Sequence, residues 1–207
     1  MNKKNLAGLG LVTVAIFGIF SFFVHKDVFT SFDFDTTVRL QNNIPRYFDT
    51  FFSSFSLLGS VEITTLILLI LVALNRKIKS AGVLVLYIIS LCVELFGKIF
   101  VNHPGPPFIF HRYDIPVTFP SFYVHPGSSF PSGHVTRTAF LAVLMIFMIW
   151  RSKKAGREIK LLISFVILLI VLTMLVSRVY LGEHWTTDVI GGFLLGAGFS
   201  AISLLFL

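Results

Sequence analysis

His184 and Asp188 have the spacing of a histidine braced by a carboxylate. Residues four apart lie on one face of a helix, so the carboxylate can accept the proton of one ring nitrogen and leave a lone pair on the other. That nitrogen can attack phosphorus and form a phosphohistidine, which water then hydrolyses. A second histidine, His134, follows Pro131-Ser132-Gly133 and can protonate the leaving oxygen.

Cations and hydrogen-bond donors accompany these groups, as the transfer of an anionic phosphate requires. Lys98 and Arg178 supply positive charge, and a guanidinium can bind two phosphate oxygens at once. Ser132 offers a hydroxyl, while Gly133 lets backbone N–H groups approach an anion at a helix start. Alone, His184 and Asp188 could equally be a structural pair at a helix start. The cations and donors that accompany them favour a phosphoryl-transfer site.

The elements that position these residues are predicted to be membrane helices. The chain has 207 residues, enough for one domain, and is 55% hydrophobic with only 13% charged residues. Its mean hydropathy is +0.86. Apolar runs of about 20 residues match the thickness of a bilayer core. Six spans are predicted: 6–24, 56–74, 81–101, 134–150, 161–179 and 187–207. The fold class is therefore an all-α polytopic bundle. Four glycines of the last span predict a close-packing face: Gly191, Gly192, Gly196 and Gly198.

The basic residues predict how the spans are oriented. Ten of the 17 lie in short segments at one side: Lys3, Lys4, Arg76, Lys77, Lys79, Arg151, Lys153, Lys154, Arg157 and Lys160. The positive-inside rule then puts both termini in the cytoplasm and brings the candidate residues, from four helices, to the extracytoplasmic side of the cell membrane. The net charge of +7 thus indicates orientation rather than a nucleic-acid partner. The N-terminal run lacks a small-residue cleavage site and is expected to be an uncleaved span.

Two longer segments are predicted on the extracytoplasmic side. In residues 25–55, Phe48, Phe51, Phe52 and Phe55 recur at helical spacing. They predict an amphipathic helix that lies in the interface or packs on the bundle. Residues 102–133 hold seven of the eight prolines and form a predicted ordered active-site loop. Its aromatics, among them Phe108, Phe110 and Phe119, line a groove for a lipid chain or serve only packing.

The arrangement resembles the type 2 phosphatidic acid phosphatase family. The resemblance rests on Ser177-Arg178, five residues, His184, three residues, then Asp188, together with Pro131-Ser132-Gly133-His134. It covers about residues 94–192, and the six-span layout extends it to a single domain over 1–207. The resemblance implies that His184 is the nucleophile, Asp188 its orienting partner and His134 the acid. It further implies that Arg178, Ser132 and Gly133 bind phosphate, with no cofactor and no metal.

The first family motif is imperfect in this chain. The family pattern is a lysine, six residues, then Arg-Pro, whereas Lys98 is followed at that spacing by Gly105-Pro106. Arg137 and His103 are candidate replacements for the missing phosphate-binding cation, with Arg112 and His111 further away. Arg137 could instead anchor a lipid headgroup or a loop. Lys98 could pair with Glu94, one turn earlier, as well as bind phosphate.

Three functions remain open on the sequence. The first is a membrane lipid phosphatase acting on undecaprenyl diphosphate, phosphatidylglycerophosphate or phosphatidic acid. The second is a phosphotransferase that passes the phosphate from His184 to a hydroxyl. The third is a non-catalytic protein on the same scaffold. His103, His111 and His125 match no metal-ligand spacing, so a metal site is not expected. The partners predicted are the bilayer and a lipid substrate, and the oligomeric state is left undecided.

Overall fold

The computed structural model describes residues 2–75, 77–115 and 127–207. The regular secondary structure of these residues consists of α-helices and short 3-10 helices, joined by irregular segments such as 101–107 and 127–132. The helices are α1 Lys3–His25, α2 Thr30–Asn43, α3 Asp49–Ser56, α4 Val61–Asn75, α5 Ala81–Phe100, α6 Gly133–Arg151, α7 Arg157–Tyr180 and α8 Thr186–Ser203. The predicted all-α fold class is confirmed. The predicted groove residue Phe119, the candidate ligand His125 and the basic residue Arg76 lie outside the described residues.

Five of the helices are long and apolar enough to cross a membrane alone: α1, α5, α6, α7 and α8 with its C-terminal turn. The remaining predicted span, 56–74, is shorter than expected. α4 has 15 residues, or about 22 Å at 1.5 Å per residue, less than a bilayer core of about 30 Å. It reaches a sixth span only together with the preceding Arg46–Gly59, from which it is bent by 46°. The chain is thus a multi-pass membrane protein, and much of its apolar surface faces outward from the bundle, as on α7, where Leu162 and Phe165 are exposed.

α8 lies at the centre of the bundle, against α1 and α6. Its glycines make this possible, because a Cβ on Gly196 would meet the backbone of Thr136 in α6. On its other side, Gly198 lies against Val14 and the carbonyl of Gly10 in α1. The predicted small-residue face is confirmed, and it brings the start of α8 next to the start of α6.

The segment 25–55 forms α2 in addition to α3, which is the predicted helix with Phe51, Phe52 and Phe55 on one face. The division falls at Ile44-Pro45, since a proline disfavours helical conformation in the residue before it and has no N–H to continue the helix. The aromatic face of α3 packs on the bundle in part. Phe52 is buried, with its ring centroid 5.0 Å from that of Tyr180, whereas Phe51 is exposed.

Polar contacts hold α2 against the same end of the bundle. Gln41 Nε2 donates to the carbonyl of Phe110 at 2.7 Å and to that of Tyr180 at 2.8 Å. Two polar side chains of α2, Asp33 and Thr37, are buried. A buried carboxylate needs a hydrogen-bond partner. For Asp33 that partner is Thr187, at the start of α8.

Candidate active site

The turn between α7 and α8 sets the position of His184. Gly182 ends α7 with φ 68°, a left-handed conformation that glycine adopts without a Cβ penalty. The chain then doubles back, and the N–H of His184 donates to the carbonyl of Arg178 at 3.2 Å. The Arg178 and His184 parts of the predicted motif are therefore joined through the backbone.

His184 and Asp188 form the predicted pair. His184 Nδ1 lies 3.3 Å from Asp188 Oδ2, which also accepts the backbone N–H of Trp185 at 2.9 Å. With Nδ1 as the donor, the lone pair is on Nε2. Burial lowers the pKa of His184, against the opposing effect of Asp188, and the nearby charges of Lys98 and Arg178 lower it further. The lowered pKa favours the neutral ring at neutral pH, which is the form that a nucleophile requires.

The start of α6 is hydrogen-bonded to the start of α8, next to His184. The backbone N–H of Ser132 donates to the carbonyl of Asp188 at 3.0 Å. Ser132 Oγ is fully buried, and it has no hydrogen-bond partner in the part of the chain that the structure describes. No side chain caps α6, and the first amides of a helix have no partner within it. Next to them, His134 lies within electrostatic range of Arg178, His184 and Lys98.

Two cations, Arg178 and Lys98, lie within electrostatic range of His184. Arg178 is 3% exposed, and its Nη2 donates to Glu183 Oε2 at 3.2 Å. Its Nε is buried and has no hydrogen bond to a described residue. Lys98 Nζ lies 3.5 Å from the carbonyl of Ser129, a distance at which a hydrogen bond is weak. Both cations therefore retain donors for an anion.

Arg137 is bound to protein groups of its own. Its Nε donates to the carbonyl of Gly59 at 3.0 Å and its Nη1 to Glu94 Oε2 at 3.2 Å. Among the described residues Glu94 thus forms its ion pair with Arg137 and not with Lys98. A Cβ on Gly133 would collide with the Glu94 carboxylate and lie 2.8 Å from Arg137 Nη1. The glycine of the motif makes room for this buried pair.

His103 faces carboxylates. Its Nε2 lies 3.5 Å from Asp188 Oδ1 and 3.6 Å from Asp33 Oδ2. Asp33 accepts the backbone N–H of Thr187 at 2.8 Å and its hydroxyl at 2.7 Å. Sequence reasoning missed Asp33 and Thr187, because nothing in the pattern of α2 distinguishes Asp33 from exposed Asp35 two residues later.

The structure therefore brings together the side chains that the sequence singled out. His134, His184, Lys98 and Arg178 form one electrostatic cluster, with Asp188 behind His184. His103 and Arg137 lie at its edge, each facing an acidic side chain. The described residues contain no group of three or more His, Cys, Asp or Glu side chains that could hold a metal ion. The roles of all these residues remain predictions.

Comparisons with known proteins place this geometry in a family. Residues 79–207, more than half of the chain, match the model of the PAP2 superfamily. A phosphatidylglycerophosphatase B of Bacillus subtilis (strain 168) is 36% identical over 74 residues. That match spans about a third of each protein, 35% of this chain and 36% of the relative.

Two solved structures have a similar fold. One is a transmembrane PAP2-type phosphatidylglycerolphosphate phosphatase from Bacillus subtilis, with a TM-score of 0.76 and 19% identity over 94% of this chain and 93% of that one. The other is LpxE from Aquifex aeolicus, with a TM-score of 0.61 and 25% identity over 84% and 95%. The motifs, the bundle of apolar helices and the family match agree: this chain belongs to the PAP2 superfamily.

Proposed function

We propose that this protein is an integral-membrane lipid phosphatase that works through a phosphohistidine on His184. The observation that carries the proposal is the buried pair of His184 and Asp188. Nδ1 faces the carboxylate, and two cations, Lys98 and Arg178, lie close enough to act on the ring. A neutral imidazole among fixed positive charges is suited to attack an anionic phosphate.

In the first step, the lone pair on His184 Nε2 attacks phosphorus and the bond from phosphorus to the lipid oxygen breaks. His134 donates a proton to that oxygen, so the lipid leaves as a neutral alcohol or, from a diphosphate, as a monophosphate. Asp188 stabilises the positive charge that develops on the His184 ring, since Oδ2 already lies 3.3 Å from Nδ1.

In the second step, water attacks the phosphohistidine. The water gives a proton to His134, the bond from Nε2 to phosphorus breaks, and inorganic phosphate leaves. Both histidines return to their starting protonation states, so the cycle balances without another reactant.

Four groups would hold the transferred phosphate. Lys98 and Arg178 provide charge, the unpaired hydroxyl of Ser132 provides a short hydrogen bond, and the first amides of α6, from Gly133 on, provide backbone donors. Buried donors without protein partners are costly unless a ligand satisfies them. This supports their assignment to phosphate.

Arg137 and His103 are weaker candidates to replace the arginine missing at Gly105. Arg137 is neutralised by Glu94 at 3.2 Å. A phosphate beside His103 would meet the carboxylates of Asp33 and Asp188. We assign Arg137 to the support of the α6 start, through Glu94 and Gly59, and treat His103 separately below.

The site is proposed to open on the extracytoplasmic side of the cell membrane. The basic segments that the positive-inside rule assigns to the cytoplasm adjoin the opposite end of the bundle, where Lys77 Nζ donates to the carbonyl of Leu207 at 2.9 Å. We further propose that residues 1–207 form one domain with its catalytic part at about 94–192, since α1 packs on α8. The substrate is a lipid phosphate or a prenyl diphosphate.

A phosphate-release assay on purified protein in mixed micelles tests this function. It compares undecaprenyl diphosphate, phosphatidylglycerophosphate and phosphatidic acid, for wild type, His184→Ala and a control, His25→Ala, on an exposed histidine at the end of α1. Wild type and the control should release phosphate from at least one lipid, and His184→Ala from none.

Three other outcomes would contradict the proposal. Phosphate found on an acceptor lipid instead of in solution would identify a phosphotransferase. No turnover of any lipid by folded wild type would favour a non-catalytic protein. Release by His184→Ala at the wild-type rate would remove His184 as nucleophile.

A further inference from the structure

A second layer of polar side chains lies behind the pair of Asp188 and His184. Asp188 Oδ1 is buried and makes no hydrogen bond within standard limits to a described residue. His103 Nε2, from the loop after α5, lies 3.5 Å from it. The layer continues through Thr187 Oγ1, 3.2 Å from the same nitrogen, to Asp33 on α2.

The hydrogen-bond partners of His103 require that its Nε2 carries a proton. The hydroxyl of Thr187 has one proton and gives it to Asp33 Oδ2 at 2.7 Å. Toward His103 Nε2 the same hydroxyl can therefore only accept, so Nε2 must carry a hydrogen. Every group within 3.6 Å of Nε2 named above is an acceptor, including the oxygens of two carboxylates. His103 is thus a donor held in a pocket of acceptors.

Burying the Asp33 carboxylate beside Thr187 and Asp188 costs free energy of desolvation. Asp33 is 2% exposed, and burial raises its pKa although both Thr187 hydrogen bonds oppose the shift. Docking α2 does not require a charge, and a buried carboxylate near a second one, Asp188, costs more free energy than a neutral side chain would. Other docking contacts of α2, from Gln41 to the carbonyl of Phe110 and between the hydroxyls of Thr36 and Thr186, are neutral.

We propose that His103, anchored by Asp33 and Thr187, is a positioning residue of the reaction: its Nε2–H is shared between Thr187 Oγ1 at 3.2 Å and Asp188 Oδ1 at 3.5 Å, and its hold on Oδ1 keeps Oδ2 on His184 Nδ1. This rests on the proposed function. α2 thereby becomes part of the active site, because without Asp33 the Thr187 hydroxyl and His103 lose their common anchor. In this role His103 acts on Asp188 and not on phosphate, so its loss is expected to slow the chemical step without weakening substrate binding.

The kinetic test measures kcat and KM for His103→Ala, His103→Gln and Asp33→Ala, beside His184→Ala. Loss of an orienting partner typically costs about 10–100-fold in activity. We expect that loss in kcat with an unchanged KM for His103→Ala and Asp33→Ala, and partial recovery in His103→Gln, whose amide can still donate. The control is Gln41→Ala, which removes a docking contact of α2 that reaches no site residue. It should retain wild-type kcat.

Several results would overturn the inference. A rise in KM alone for His103→Ala would make His103 a phosphate ligand. An equal loss in Gln41→Ala and Asp33→Ala would reduce Asp33 to a docking contact. Wild-type kcat in His103→Ala, with His184→Ala inactive, would refute the positioning role and leave the phosphatase intact. Activity in His184→Ala would instead refute the proposed function.

A measurement on wild type covers the case in which these variants do not fold. In protein labelled with nitrogen-15 in its histidines, side-chain NMR reports which ring nitrogen carries hydrogen. We expect a proton on Nε2 of His103 and on Nδ1 of His184, the opposite nitrogens. A bare Nε2 on His103 would contradict the inference.

Discussion

Asp188→Asn is the substitution that tests the site most sharply, because it changes one atom type and almost no volume. In the structure, Asp188 Oδ2 accepts two N–H groups, from His184 and from Trp185. An amide NH₂ at that position would point donors at both. If the amide turns, the NH₂ group occupies the Oδ1 position and faces His103 Nε2 at 3.5 Å. Neither orientation satisfies all three donors.

The expected size follows from the tautomer. With NH₂ toward Nδ1, that nitrogen must become the acceptor, so the proton moves to Nε2 and the nucleophilic lone pair is lost. In a comparable triad an Asp to Asn change costs about 10⁴-fold in kcat. That corresponds to about 5 kcal/mol at about 1.36 kcal/mol per decade. We expect a loss of about 10³–10⁴-fold with little change in KM.

Phosphate release over a range of lipid concentrations in mixed micelles measures both constants. The matched control is Asp35→Asn, the same chemical change on an exposed carboxylate of α2, which should behave as wild type. Thermal unfolding of all three proteins checks the fold. If folded Asp188→Asn keeps more than about a tenth of wild-type kcat, a margin far smaller than the loss expected, the orienting role of Asp188 is refuted.

Four further outcomes are expected. The acid limb of kcat/KM should lie below pH 6.5, the ordinary histidine value, because burial lowers the pKa of His184 and the ring must lose its proton to attack; a limb above that value would contradict the assignment. Gly133→Ala should lower stability by about 1–3 kcal/mol in thermal unfolding, since its Cβ meets the Glu94 carboxylate, whereas Gly156→Ala, with open space around it, should change little. Gly105→Arg should strengthen inhibition by inorganic phosphate, since among the described residues its Cβ would meet Ser129 alone, at 3.5 Å and beyond; unchanged inhibition would show that the cation is not missed. Chelators should leave phosphate release intact, and an EDTA loss restored by a divalent cation would overturn metal independence.

The spans could be predicted from the sequence because an apolar run of bilayer length has few other uses. The prediction failed in detail at 56–74, where α4 is too short alone and is bent from the helices before it. Hydropathy averages over a window and does not register such a bend. The division of the segment 25–55 at Pro45 could have been predicted from the proline itself.

The sequence could predict those parts of the candidate site whose residues lie close together in the chain. His184 and Asp188 lie one turn apart in a helix start, so their contact follows from local geometry. Partners contributed from distant parts of the chain could not be found in this way. Asp33 precedes Thr187 by 154 residues, and only the packing of α2 on α8 brings them together.

The structure gives Gly133 and Glu94 roles that the sequence did not predict. Gly133 was explained from sequence by the approach of phosphate, whereas the structure adds the buried pair of Glu94 and Arg137 at the same place. A pair of Glu94 with Lys98 was one alternative on the sequence, because the two residues lie one turn apart. In the structure Arg137 on α6 forms the ion pair with Glu94, because its planar guanidinium can donate through Nη1 to the carboxylate while Nε donates to the carbonyl of Gly59.

Covalent trapping tests the nucleophile most directly. Wild-type protein is mixed briefly with lipid labelled in its terminal phosphate, quenched in alkali and digested, and the peptide carrying the label is identified. The label should be stable in base, labile in acid and attached to His184, and it should be absent from His184→Ala. Label on another residue, or undiminished label in His184→Ala, would contradict the mechanism proposed for this protein.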